Sequence, residues 1–182
     1  MNPHIWALVE REEVLEAVEE LTSGEDLHLR RLVSVSEALG LEEPEGGIIL
    51  VVDASGEFSN YLTLIKRFTR NFVQFDSVVF GPARDEEESE RERRAGVDMY
   101  VTDPVDREDF FVRAINLIAL RRLKSSTGIV GRSEPLNDML EMAMQVAPTE
   151  VSVLVEGESG SGKELTARAI HMLSKRNSKP FE

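Results

Sequence analysis

Seven residues late in the chain, Gly157-Glu158-Ser159-Gly160-Ser161-Gly162-Lys163, carry the clearest chemistry. They fit the spacing glycine, four residues, glycine, lysine, in which glycines let neighbouring backbone N–H groups turn toward one point. The apolar run Val151 to Val155 comes just before and reads as a strand. An amphipathic stretch from Lys163 to about Ser174 comes just after and reads as a helix, with Leu165, Ala169, Ile170 and Leu173 as its apolar face. A loop placed there gathers N–H donors and the positive end of a helix around an anion, and Lys163 adds a point charge suited to the outer phosphates of a nucleotide. The general pattern continues with Ser or Thr, whose hydroxyl ligates magnesium; this sequence has Glu164 instead. The plain alternative is a glycine-rich turn with an incidental lysine, which the agreement of strand, loop and helix disfavours.

A second group of chemically capable residues lies at the ends of apolar runs in the first two thirds of the chain. Ile5 to Val9, Leu27 to Val35, Ile48 to Val52, Ser77 to Phe80 and Met99 to Thr102 read as five short strands. Helical spacing separates them: Val14, Val18 and Leu21 in the first helix, then a short stretch ending at Gly40. Next come Tyr61, Leu64, Ile65, Phe68 and Phe72 behind a capping Asn60. The charge-dense run Arg84 to Arg94 reads as an exposed helix or mobile loop. Asp106 to Leu123 reads as a long helix with Phe111, Ala114, Ile115 and Ile118 inward. Strands and helices alternating five times predict an α/β fold with a doubly wound, five-stranded parallel sheet. Such sheets carry working residues at the carboxyl ends of their strands, here Glu10, Asp53, Gly81 and Asp103.

Composition narrows the function classes. The 182 residues suit one domain or two small ones, and 41% apolar content supports a real core. No apolar run is long enough to cross a bilayer, the start carries no secretory signal, and cysteine is absent, all of which suits a cytoplasmic protein away from membranes. The net charge of −13 is uneven: residues 1–124 hold 15 Lys and Arg against 26 Asp and Glu, and residues 125–182 hold 6 against 8. So acidic a first segment repels phosphate backbones, and no direct DNA contact is expected from this chain.

Residues 124–127, Lys-Ser-Ser-Thr, read as a polar linker between a first domain at 4–123 and a second at 128–182. In the second, Ser133 and Pro135 mark the start of a helix with Leu136, Met139, Leu140, Ala143 and Val146 inward. His171 lies on the last helix without a second ligand and is read as structural.

The stretch from Gly157 to Leu165, followed by Ala167-Arg168-Ala169-Ile170-His171, closely resembles the sigma-54-dependent transcriptional activators, the AAA+ bacterial enhancer-binding proteins. So do Ile129-Val130-Gly131-Arg132-Ser133, Val146-Ala147-Pro148-Thr149 and Lys179-Pro180-Phe181, and in that family the loop regularly ends in Lys-Glu. The resemblance covers residues 128–182. It implies that Gly157, Glu158, Ser159, Gly160, Ser161, Gly162, Lys163 and Glu164 hold the triphosphate of ATP, with Mg²⁺ in the complete ATPase. It also implies that Ile129, Val130 and Gly131 lie near adenine. The family's Walker B strand, sigma-contacting loop, arginine finger and DNA-binding helix-turn-helix are expected beyond Glu182. This chain is therefore expected to grip phosphate without hydrolysing ATP alone, and no catalytic residue is assigned within it. The implied partner is sigma-54 RNA polymerase, reached through the missing part, and the full-length protein is expected to form a homo-oligomer.

The first domain resembles, more loosely, the receiver domain of two-component response regulators, through Val51-Val52-Asp53 and through Tyr100-Val101-Thr102-Asp103-Pro104-Val105-Asp106. Receivers hold magnesium with an acidic pair after the first strand and the acceptor aspartate, and steady the phosphoryl group with a hydroxyl and a lysine. Here the pair is Glu10-Arg11, the hydroxyl position falls near Gly81, and the lysine position is Asp103. Only Asp53 keeps the phosphoacceptor position. An arginine there opposes a metal ion and an aspartate repels a phosphoryl group, so Asp53 is expected to be inactive and no metal site is assigned. The resemblance as a whole implies an ATP-binding, regulatory front portion of an activator, with a receiver-like domain controlling the ATPase. The alternative is a protein-interaction module whose ATPase remnant no longer works.

Overall fold

The computed structural model describes residues 1–181. They form two compact units, 1–122 and 123–182, and the boundary falls within a helix. The end of the expected second domain, Glu182, lies outside the described residues.

The first unit is a parallel sheet of β1 (His4–Leu8), β2 (His28–Arg31), β3 (Ile48–Asp53), β4 (Phe75–Gly81) and β5 (Met99–Thr102) in the order β2-β1-β3-β4-β5. The helices are α1 (Glu12–Gly24), α2 (Val35–Leu39), α3 (Tyr61–Asn71), α4 (Glu86–Ala95) and α5 (Arg107–Thr127), with one 3-10 turn at Gly56–Phe58. The fold is thus the five-stranded α/β sheet that the alternation of runs predicts. Five aliphatic residues in β3 serve both faces at once. Ile49 and Val51 pack with Val14, Ala17 and Val18 of α1 and with Phe110, Ala114 and Ile118 of α5. Ile48, Leu50 and Val52 pack with Trp6, Leu64, Phe68, Phe72 and Phe75 on the other face. A central strand buried on both faces needs no alternation, which is why its sequence reads as an unbroken apolar run.

Several local expectations need correction. Asn60 stands at the N-cap of α3, but its side chain makes no capping bond to the backbone; its Oδ1 accepts from the Thr63 hydroxyl at 2.8 Å. In α5 Ala114 and Ile118 are buried as expected and Phe111 packs partly on the core, but Phe110 fills it beside them while Ile115 is 42% exposed. The run Arg84 to Arg94 is helical from Glu86, started by a capping box between Asp85 and Glu88. Glu92 in that helix is buried against Arg84 and the Tyr61 hydroxyl rather than solvated. Residues 124–127 continue α5 instead of forming a break, the Thr127 hydroxyl donating back to the Leu123 carbonyl at 2.7 Å.

The second unit contains α6 (Glu134–Val146) and α7 (Lys163–Leu173), with Ile129, Leu140, Ala143, Thr166 and Ala169 buried. Leu165 and Leu173, expected on the inner face of α7, are exposed. Ser133 precedes α6 without a side-chain capping bond, Pro135 occupying the first turn. Val151 to Val155 form no strand. Strand geometry needs an adjacent ladder to take its N–H and C=O groups, and no strand of the described residues lies beside this run. Val151 is 62% and Leu154 82% exposed.

Candidate functional site

The loop from Gly157 to Lys163 rises from the 151–155 segment and delivers the chain directly into α7. Gly160 and Gly162 adopt φ of +80° and +87°, a region that L side chains rarely occupy, so the two glycines make the turn possible. At Gly157 an added Cβ would stand 2.7 Å from the Ser161 hydroxyl, so the cradle has no room for a larger residue there. The Lys163 ammonium folds back across the loop and donates to the carbonyls of Gly157, at 2.8 Å, and Glu158. The cation is therefore held against the backbone of its own loop. Thr166 locks the first turn of α7 through its hydroxyl and N–H, both donating to the Gly162 carbonyl. The residues present suit an anionic phosphate: flexible backbone donors, a helix N-terminus and one lysine, in a mostly exposed loop. Glu164 accepts from Arg168 at 2.8 Å, which pairs its carboxylate along the helix.

Of the residues expected near adenine, Ile129 is buried and Val130 is exposed. Gly131 has φ +148°, and a Cβ there would meet Leu136 at 2.6 Å, so this turn too depends on glycine. A groove of about 360 Å³ runs between the 151–155 segment and α7, lined in part by Val153, Val155, Ala167 and Ile170. His171 Nε2 lies 2.9 Å from the Lys179 carbonyl and its ring packs on Phe181, a structural contact.

In the first unit, the carboxyl ends of β1, β3 and β5 meet in a pocket organised by one side chain. Arg11 Nε donates to both carboxylate oxygens of Asp53, at 3.1 and 3.0 Å, and Arg11 Nη1 donates to Asp103 at 2.8 Å. The Arg11 backbone N–H also reaches Asp53, at 3.3 Å. Ser55 donates its N–H and hydroxyl to Asp53 Oδ1, at 3.1 and 2.7 Å. The Asp53 side chain is 0% exposed and that of Arg11 25%. Burial by itself works against the charge on Asp53, but the bonds from Arg11 and Ser55 outweigh it and hold its carboxyl below the usual carboxylate range. Burial likewise disfavours the Arg11 cation, and hydrogen bonds to Asp53 and Asp103 overcome that and raise its pKa. At Gly81 an added Cβ would stand 2.3 Å from the Tyr100 hydroxyl, which donates to the Pro82 carbonyl at 3.1 Å, so a hydroxyl-bearing residue fits there only if Tyr100 moves.

Sequence reasoning singled out Arg11, Asp53 and Asp103 separately; the structure brings them together across 42 and 92 residues of chain. It missed the buried pair of Asp76 with Arg121, and the burial of Lys124 against Asn137 at 2.7 Å. Arg121 lies inside a run, Ala-Leu-Arg-Arg-Leu-Lys, three residues after the buried Ile118, and that helical spacing was the available signal.

The fold and these sites define a class: a receiver-type α/β domain followed by a phosphate-loop segment. Comparison with known proteins makes the class more particular. Residues 129–182 match the family model of the sigma-54 interaction domain. The transcriptional regulatory protein GlrR of Escherichia coli K12 is 45% identical over 92 residues, which are 47% of this chain and 20% of that protein. The regulatory protein ZraR of the same organism is 50% identical over 57 residues, 31% of this chain and 13% of that protein. The crystal structure of NtrX from Brucella abortus in complex with ATP covers 100% of this chain and 43% of its own, with a TM-score of 0.55 and 24% identity. A response regulator from Thermotoga maritima covers 65% of this chain and 99% of its own, at a TM-score of 0.55 and 20% identity. The last two likenesses establish fold. Residues 129–182 accordingly match a sigma-54 interaction domain, and the unit before them has the receiver fold. The chain spans a fifth or less of the length of these two curated relatives. No helix among the described residues is long and apolar enough to cross a membrane.

Proposed function

We propose that this chain is the regulatory and nucleotide-gripping front portion of an ATP-driven activator of sigma-54 RNA polymerase. Its boundaries would be a receiver-like domain at 4–123 and an ATPase portion beginning at 128. Gly157 to Glu164 would hold the triphosphate, and Ile129, Val130 and Gly131 would flank the adenine. Mg²⁺ would accompany ATP in the complete ATPase domain, supplying charge neutralisation at the phosphates. The observation that carries the reading is the loop itself: two left-handed glycines, a lysine folded back onto the loop carbonyls and a helix starting at that lysine, inside the stretch that matches the sigma-54 interaction domain. ATP in the NtrX crystal structure is in keeping with it. The receiver-like unit would regulate through contacts and not through phosphotransfer, since its acceptor carboxylate is already bonded to Arg11.

A sigma-54-dependent reporter, driven by the full-length protein in a strain lacking it, tests this reading. Lys163→Ala is expected to abolish activation while protein level is unchanged; undiminished activation by that variant would overturn it. A second reading, an interaction module with an ATPase remnant that no longer works, is favoured by the exposed apolar residues Val151, Val153 and Leu154. It predicts the undiminished activation that the first reading forbids.

A further inference from the structure

The divalent metal ion that the receiver fold implies does not fit the pocket this chain builds. Both oxygens of Asp53 are taken by Arg11 Nε, and a 2+ ion placed there would face a guanidinium at contact distance. Among the described residues no group of three or more His, Cys, Asp or Glu is arranged to hold a metal. The positive charge is nevertheless needed, because an ionised carboxylate as buried as Asp53 is strongly destabilising without a counter-charge.

We propose that Arg11 is a resident counter-cation, a positioning residue that ties the ends of β1, β3 and β5 together through Asp53 and Asp103 and so closes the pocket to divalent ions. The inference deepens the regulatory reading of the first unit and is independent of nucleotide binding by the second. The chemistry favours arginine for this task. Its planar fork spans two carboxylates from different loops, which the single ammonium of a lysine does less well. Glu13 adds a contact to Nη1 at 3.3 Å. The Glu10 carboxylate lies against Gly56, which has φ +59°, and an added Cβ there would stand 2.1 Å from Glu10 Oε2. The groups facing the guanidinium are therefore Asp53, Asp103 and Glu13, with Glu10 beside the loop that follows β3, and all of them are acidic. Arg11 Nη2 is buried without a hydrogen-bond acceptor. Among the described residues the guanidinium is thus held through Nε and Nη1, the two nitrogens that reach the carboxylates. With the cation in place, this end of the sheet is held in one arrangement without a ligand, and whatever the unit signals cannot depend on metal-assisted phosphorylation of Asp53.

The test uses the full 182-residue chain and Mn²⁺ as the probe. Saturable paramagnetic broadening of the Asp53 and Ser55 amides by Mn²⁺ is expected to be absent in the wild type. It should appear in Arg11→Asp, with an affinity at least about tenfold tighter than any the wild type shows. In parallel, carboxyl-carbon NMR titration follows Asp53. Its pKa should rise in Arg11→Gln, where burial is no longer opposed by the cation, and stay low in Glu13→Gln. Wild-type Mn²⁺ binding at Asp53 as tight as that of Arg11→Asp would overturn the proposal, as would an Asp53 titration unchanged by Arg11→Gln. Should either Arg11 variant fail to fold, Arg11→Lys decides: it keeps the charge on Asp53 but not the bridge. Amide exchange at 103–106 is then expected to quicken relative to wild type, and unchanged exchange there would refute the bridging role.

Discussion

At the scale of single residues, two cations of opposite character define the molecule. Arg11 is committed to its own carboxylates, whereas Lys163, among the described residues, is held by the carbonyls of its own loop and can be given up to a better acceptor. Acetyl phosphate with Mg²⁺ is expected to leave the mass of the chain unchanged; a gain of one phosphoryl group that vanishes in Asp53→Ala would contradict the account. The pH dependence follows from the direction of the Asp53 shift. Its folded pKa is below its unfolded one, so its contribution is fully present above about pH 4 and is lost as pH falls through the folded value. In Arg11→Gln the shift changes sign, and lowering the pH from about 7 to about 5 should raise the melting temperature of the first unit instead of leaving it level. Arg11→Ala should cost that unit about 3 kcal/mol at neutral pH in denaturant titration, because it leaves a buried charge uncompensated. These residues were legible as departures from a pattern. Their mutual bonding was not, since nothing in local spacing says that side chains 42 and 92 positions apart will share a proton-donating fork.

At the scale of elements, β3 and the 151–155 segment are similar in sequence and opposite in state. Both are short apolar runs, but Ile48 to Val52 have neighbours on both edges and helices on both faces, while Val151, Val153 and Leu154 are exposed. The strand reading held for Ile48 to Val52 and failed for Val151 to Val155, because partnership, a tertiary property, decides which apolar run becomes a strand. Hydrogen exchange should therefore be slow across Ile48 to Val52 and fast across Val151 to Val155 in dilute solution. Comparably slow exchange at both, in a chain shown to be monomeric, would mean that the second unit is self-sufficient. Exposed apolar residues on a segment with unpaired backbone groups also promote association. Leu154→Asp is expected to lower any self-association seen by analytical ultracentrifugation while leaving the melting of the first unit unchanged. The continuation of α5 through Thr127 was hidden from sequence because polar residues read as a linker. Lys124 is polar by type and buried in fact, its ammonium satisfied by Asn137.

At the scale of the whole molecule, the two units differ in how much of their stability is their own. Residues 1–122 close a five-stranded sheet between two helical layers, while the described residues of the second unit have helices and a loop without a sheet. A unit of so few residues buries little apolar surface on its own. The phosphate-loop pattern was legible because it is local, and the parallel sheet because strands and helices alternate; the strand order β2-β1-β3-β4-β5 is a tertiary property that alternation does not set. The phosphate loop is the claim on which the functional account turns, and equilibrium ATP binding tests it most directly. The measurement compares a polypeptide extended through the complete sigma-54 interaction domain with its Lys163→Ala variant. The account predicts a loss of affinity of about tenfold or more on removing the ammonium, the worth of a charge-assisted contact to phosphate. Equal affinity in the two proteins would show that the Gly157–Lys163 loop is only a turn.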